Sequence, residues 1–157
     1  MLTSNTDCWG LFDLGDYPVP FYAKGCVCIA GDAAHATTPH HGAGAGFCIE
    51  DSAVMAGLLV SAGEEIKKNR ALQKSEVIQA AFAAFDASRR PRTQWLVQSS
   101  RRVSDLYEWR ADGVGGDIAK IHQELEWRCN TVWQADVPEM VEEARREFSK
   151  QLNHVND

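Results

Sequence analysis

The stretch Ile29-Ala30-Gly31-Asp32-Ala33-Ala34-His35-Ala36-Thr37-Thr38-Pro39-His40-His41-Gly42-Ala43-Gly44-Ala45-Gly46 decides how the rest of the chain is read. The apolar run Cys26-Val27-Cys28-Ile29-Ala30 leads into it and predicts a strand. Apolar at every position, that strand reads as buried on both faces. It ends in Gly-Asp, passes through small residues, and enters a helix that continues through Glu50-Asp51. Such a strand end sets an acidic side chain at the carboxyl edge of a sheet, where ligands bind in open α/β folds. Gly31 turns the chain, and Asp32 is placed to accept hydrogen bonds from ribose-type hydroxyls. Gly42, Gly44 and Gly46 let the backbone come close to a flat ligand, with N–H groups and the positive helix end aimed at partial negative charge.

Upstream, Trp9 to Phe12 is a weaker strand candidate, and Tyr17-Pro18-Val19-Pro20 reads as extended or turning. Downstream, every periodic segment is helical. Ile49, Ala53, Ala56 and Val60 recur at the spacing of one helical face, and Gly63 with the polar run Glu64 to Arg70 predicts the end of that helix. Ser75 is the expected N-cap of the next, with Ile78, Phe82 and Phe85 as its buried stripe and a bend or stop near Pro91. Leu96, Val103 and Leu106 carry helix on to about Arg110, where Asp112-Gly113-Val114-Gly115-Gly116 breaks it. Ile118, Ile121 and Leu125 mark another helix. Asp136-Val137-Pro138-Glu139 opens the last, with an N-cap carboxylate, an early proline and an acidic first turn. Val141, Ala144, Phe148 and Leu152 form its apolar face. The fold class is therefore α/β and helix-rich, with one or two strands and four to five helices. A central strand needs neighbours on both sides, and a two-stranded sheet is marginal alone. The chain reads as part of a larger fold.

Composition narrows the function. The 157 residues are 45% apolar, enough for one compact core. Sixteen Lys+Arg against 22 Asp+Glu leave a net charge of −6, which speaks against a nucleic-acid or membrane-surface partner, since both need a concentrated positive field. No uninterrupted apolar run is long enough to predict a membrane span. Met1 to Asp7 has neither the basic nor the apolar region of a signal peptide, and the cysteine number is odd, so an intracellular, cytoplasmic protein is expected. Cys8, Cys26, Cys28, Cys48 and Cys129 read as reduced and structural. A metal centre built from His35, His40, His41 and Cys48 lacks the ligand spacing of zinc sites, and none is expected.

Gly31-Asp32-Ala33-Ala34-His35, then Pro39 and Gly42-Ala43-Gly44-Ala45-Gly46 before Glu50-Asp51, resemble the second flavin motif of the FAD-dependent aromatic hydroxylases related to para-hydroxybenzoate hydroxylase. Pro39-His40-His41-Gly42-Ala43-Gly44 is most similar to the fungal salicylate hydroxylase-like branch. The resemblance extends through Trp9–Phe12, Tyr22–Lys24, Phe85-Asp86, Ser88 to Gln94, Ser99 to Arg101 and Trp127 to Trp133. It implies a glutathione-reductase-like FAD fold, FAD as cofactor, NAD(P)H as co-substrate, and hydroxylation of a phenolic, salicylate-like molecule. It further implies that Asp32 bonds the flavin ribityl chain, that Gly31 lies at the same strand end, and that Pro39 lies beside the isoalloxazine. The backbone around Gly44, Ala45, Gly46 and Phe47 would face the pyrimidine carbonyl, and His40 would stand at the junction of substrate and flavin. Phe47 replaces the family's usual Gln; a backbone contact survives that change and a side-chain contact does not. Arg89, Arg90 and Arg92 match an element read as structural, tying a helix to the FAD domain.

The family's first flavin motif, Gly-x-Gly-x-x-Gly with an acidic residue ~20 positions on, does not occur in these 157 residues, nor does its middle Asp-Gly motif. The chain thus reads as the C-terminal portion of a longer monooxygenase, inactive in hydroxylation by itself. Residues 1–25 are the end of the substrate-domain strands, 26–62 the last FAD-domain strand with motif loop and helix, and 63–157 a helical region. Its expected partners are a small aromatic substrate and either the remaining portion or a second copy. A stand-alone truncated paralogue, acting without cofactor or as a binding module, stays open on sequence alone.

Overall fold

In the computed structural model, which describes residues 9–156 (side chains through Asn153), helices dominate. The order is β1 (Ala23–Lys24), β2 (Val27–Cys28), α1 (Asp32–His35), a 3₁₀ turn (Pro39–His41), α2 (Gly44–Lys68), α3 (Lys74–Tyr107), α4 (Ile118–Trp133) and α5 (Val137–Asn156). Cys8 and the first seven residues lie outside the described part.

Helix α3, 34 residues long, spans about 51 Å at the α-helical rise and serves as the spine. Near its start it packs with α2 and α5 around Val54, Leu58, Val77, Phe85, Ala144 and Phe148. Ala80, Ala81 and Ala84 keep its surface low enough for close approach. Its middle carries a small cluster of Phe47, Leu96 and Val132, and its end packs Leu106 against Ala111 and Ile121. The expected face of α5 is the one buried, and Asp136 caps that helix by accepting the Glu139 N–H at 3.0 Å. Asp117 caps α4 through the N–H groups of Ala119 and Lys120.

Several sequence expectations need correction. The strand 26–30 reduces to a two-residue pairing, Ala23 opposite Cys28 and Lys24 opposite Val27, extended by the Ile29 N–H to the Tyr22 carbonyl. It is not buried on both faces: Val27 is 68% exposed, because no other strand among the described residues covers it. Trp9 to Phe12 form no strand. The buried face of α2 is Phe47, Glu50, Asp51, Val54, Leu58 and Ala62, whereas the predicted Ile49, Ala56 and Val60 are exposed. The helix is apolar nearly all round, so counting apolar positions selected the wrong face; the two carboxylates on the true face hid it. Gly63 lies inside α2, and α3 starts at Lys74 with no side-chain cap, one residue before Ser75.

Helix α3 also runs through Pro91. The missing N–H and ring clash cost about 3 kcal/mol in a helix interior. Arg89, Arg92 and Thr93 around it are held by contacts to α2, α4 and Tyr22, which keep the helix continuous. By length and composition α2 is the one helix among the described residues that could cross a membrane, although no uninterrupted apolar run announced it. In this fold it is a core helix, fastened through Glu50 and Asp51.

Candidate functional site

Gly31 stands at φ 61°, in the left-handed region that favours glycine, and a β-carbon there would lie 3.3 Å from the Cys48 sulfur. From that bend the chain makes one helical turn, α1, instead of the open loop that small residues suggested. Asp51 of α2 clamps both ends of the turn. Its Oδ2 accepts the Gly31 N–H at 2.9 Å and the His35 Nε2–H at 2.7 Å, while Oδ1 accepts Arg89 Nε at 2.8 Å. Beside it, Glu50 accepts Arg89 Nη2 at 2.7 Å and both Nε and Nη2 of Arg92 at 2.9 and 2.8 Å. Arg92 reaches on to the Thr131 and Val132 carbonyls of α4. Arg90, in contrast, pairs with Asp86 on its own helix at 2.7 Å.

Burial pushes the Asp51 and Glu50 carboxyls up, but the hydrogen bonds from His35 and Arg89, and from Arg92 and Arg89, outweigh it and hold both below the usual range. A depressed carboxyl contributes stability above its unfolded value and loses it as pH falls through the folded one. The clamp is therefore charged, and fully effective, at neutral pH.

The clamp leaves Asp32 exposed at the first position of α1, with no described partner for its carboxylate. Because Gly31 lies against Cys48, Asp32 follows it beside the second turn of α2, and burial together with the Asp32 charge raises the Cys48 thiol. The start of α2 is open. Its first turn has no acidic residue and no side-chain cap, and the N–H groups of Gly44, Ala45 and Gly46 precede the first intrahelical acceptor. Phe47 already gives its N–H to the Ala43 carbonyl at 3.0 Å. Its ring is buried 4.4 Å from the Arg92 guanidinium and 5.9 Å from that of Arg89, so this residue packs the core and the free donors are the three before it.

The 3₁₀ turn places Pro39 on the surface and ends in Gly42 at φ 62°. His40 is half-buried with its ring 6.4 Å from that of Tyr107, and His41 bonds Ser99 at 2.9 Å. His35, His41 and Cys48 face different partners, and no group of three metal-ligating side chains comes together among the described residues. Of the buried side-chain polar atoms without a described partner, His35 Nδ1, Thr38 Oγ1 and His40 Nδ1 all belong to this one loop. A site with an exposed carboxylate, free helix-terminal N–H groups and orphaned polar atoms fits a ligand with hydroxyls at one end and carbonyl oxygens at the other.

The loop is also fastened from the N-terminal side. Leu14 donates its N–H to the Ala36 carbonyl, and Arg101 grips Asp13 and Asp16. Gln94, Gln98 and Asp86 bond the Val19 and Gly15 carbonyls and the Tyr22 N–H. Sequence reasoning missed these pairings and the roles of His35, Glu50 and Asp51. Its one usable signal was two adjacent carboxylates inside an apolar helix, which require buried cations.

Residues 10–103 match the family described as FAD binding domain. The chain belongs to that family. It is 46% identical over 144 residues to the FAD-dependent monooxygenase SAT7 of Stachybotrys chartarum, covering 92% of this chain and 29% of that one. It is 45% identical over 149 residues to the salicylate hydroxylase asL1 of Sarocladium schorii, covering 89% and 31%. Among solved structures, a salicylate hydroxylase substrate complex superposes with a TM-score of 0.69 at 39% identity, over 81% of this chain and 29% of the other. This member of the FAD binding domain family thus has a helix-rich portion of an FAD-binding monooxygenase fold. It spans about a third of the length of the curated relatives it matches.

Proposed function

We infer that the chain is the C-terminal portion of an FAD-dependent, NAD(P)H-using monooxygenase that hydroxylates a salicylate-like aromatic. The observation that carries this reading is the double clamp of Asp51 on Gly31 and His35, which presents Asp32 unpaired beside the open start of α2. In this reading Asp32 accepts from the ribityl hydroxyls, and the N–H groups of Gly44, Ala45 and Gly46 meet the pyrimidine carbonyl with the positive end of α2 behind them. Gly31 and Gly42 supply the two bends that shape the cradle. Pro39 and His40 flank the ring, toward the substrate. When bound, FAD supplies the redox chemistry, by which an aromatic C–H, O₂, NAD(P)H and a proton become a C–OH, NAD(P)⁺ and water. The residues of this chain bind, orient and shield.

The reading also supports a cover for Val27 and for the outward side of α2, where Ile49, Leu59 and Val60 are 70%, 44% and 56% exposed. The remaining FAD-domain portion is the proposed cover, and a second copy is the alternative. The sequence has no first flavin motif to grip the pyrophosphate, so the 157-residue chain by itself should hold no flavin.

The test is a chimera in which this chain replaces the matching third of the Stachybotrys chartarum monooxygenase. It should emerge from gel filtration with yellow cofactor bound and oxidise NAD(P)H faster with salicylate present. A folded chimera without flavin overturns the reading. The chain alone, treated the same way, should emerge colourless; a stoichiometric flavin complex with turnover would show that it needs no further portion.

A further inference from the structure

We propose that Arg128, Ser99 and His41 form a polar relay by which α4 positions the Pro39–His41 turn, with His41 offering its Nδ1–H to the ligand. This inference rests on the functional reading above, because it makes that turn part of the flavin site. The relay is built from three groups whose donor and acceptor capacities settle its direction. Ser99, 1% exposed in α3, lies 2.8 Å from Arg128 Nη1 and 2.9 Å from His41 Nε2. A guanidinium only donates, so the Ser99 oxygen accepts from Arg128 and its single hydroxyl hydrogen needs another acceptor. The imidazole Nε2 is the one described acceptor available to it. Were Nε2 protonated instead, the buried hydroxyl hydrogen would have no partner. The proton of His41 therefore sits on Nδ1, which has no described partner in a side chain that is only half-buried. His40 differs: its Nδ1 is enclosed and unpartnered.

The relay is anchored at its far end. Arg128 bonds Glu124 through Nε and Nη2 at 3.1 and 2.7 Å, and its guanidinium lies 4.9 Å from the Trp127 ring. Trp127 meets Trp95 edge-on at 6.1 Å, and Trp95 lies 6.3 Å from the His41 ring. Polar and aromatic contacts from α3 and α4 thus converge on one histidine.

The charges facing His41 act in the same sense. Burial lowers its pKa, and the positive charge of Arg128, itself paired to Glu124, and the neighbouring His40 lower it further. His41 is neutral at pH 7, as an acceptor for Ser99 must be.

Imidazole nitrogen NMR on the ¹⁵N-labelled 157-residue chain tests the relay without any flavin, with His41→Gln assigning the signals. At pH 7.5, His41 should show a protonated Nδ1 and a bare Nε2, and its titration midpoint should lie below that of a free histidine, near 6.5. Ser99→Ala should turn the single tautomer into a mixture. A mixture or the reverse tautomer in the unsubstituted chain overturns the relay. Positioning is read in the chimera, where Ser99→Ala should weaken FAD retention about two- to tenfold, the loss of one neutral hydrogen bond. His41→Gln with Ser99 intact, which keeps an acceptor for Ser99 and an outward donor, should retain most of the parent's FAD. Unchanged retention in Ser99→Ala overturns the positioning role while the flavin site stands. A parent chimera that holds no flavin overturns the functional reading and the positioning role together, although the tautomer measured in the chain alone would be unaltered.

Discussion

The two faces of α2 are built in opposite ways. Toward α3 the helix buries Glu50 and Asp51 against Arg89, whose side chain is 1% exposed; outward it leaves Ile49, Leu59 and Val60 in the open. A soluble domain standing by itself would usually arrange these the other way round. The inward charges make sense as a device for geometry, since they tie Gly31 and His35 to a core helix and so hold the Asp32 turn rigid. The outward apolar residues make sense as a surface meant to be covered. One face fixes the Gly31–His35 turn, and the other is the face that the proposed function assigns to the remaining FAD-domain portion.

The comparison breaks most severely at Arg89. Replacing it with alanine leaves two buried carboxylates sharing only Arg92, His35 and the Gly31 N–H. Removing one partner from a buried ion pair destabilises by about 3–5 kcal/mol. Arg89→Ala should therefore lower the urea midpoint of the chain at pH 7 by more than any outward substitution on α2, for example Val60→Asn. A loss under about 1 kcal/mol, typical of exposed pairs, would show that the inward face is held by packing and that its charges are incidental.

A smaller effect tests how closely α2 fits its other buried neighbour. A β-carbon at Gly57 would lie 2.6 Å from Val141 Cγ1 of α5. Alanine gains about 1 kcal/mol in helix propensity over glycine, while forcing extra volume into a packed site costs about 1–3 kcal/mol. Gly57→Ala should thus be net destabilising by up to about 2 kcal/mol, and Val141→Ala in the same chain should recover part of the loss. A neutral or stabilised Gly57→Ala would mean that the α2–α5 contact yields freely.

How far the sequence told this in advance depended on the physics involved. Helix number, the face of α5 and the Asp136 cap were legible because apolar spacing and an N-cap carboxylate act locally. The Gly-Asp bend was legible because the chain turns there through positive φ at Gly31, a conformation that favours glycine. Arg89 and Arg92 were read as structural, and they are, but their partners lie about forty positions away and no local pattern points there. The true face of α2 was hidden for the same reason: Glu50 and Asp51 look like surface residues until the arginines that neutralise them are in place. Pro91 misled because the cost of a proline is local, whereas the contacts that keep α3 continuous are distant.

The smallest effect on stability, and the sharpest test of the comparison, is expected at Asp32. Its carboxylate is exposed and has no described partner, whereas its neighbours Gly31 and His35 are both bound to Asp51. If α2 holds the turn so that Asp32 stands free for a ligand, Asp32→Ala removes nothing that the folded chain uses. The urea midpoint of the 157-residue chain should then stay within about 0.5 kcal/mol of the parent, the range for surface substitutions. In the chimera the same substitution should weaken flavin binding, because a hydrogen bond to a charged group contributes about 1.5–3 kcal/mol, roughly a ten- to hundredfold change in affinity. Stability and binding therefore separate at this residue, and a denaturation curve paired with a flavin titration reads both. A destabilised Asp32→Ala would make Asp32 part of the clamp. Unchanged stability with unchanged flavin affinity would leave the clamp intact and remove Asp32 from the cofactor site.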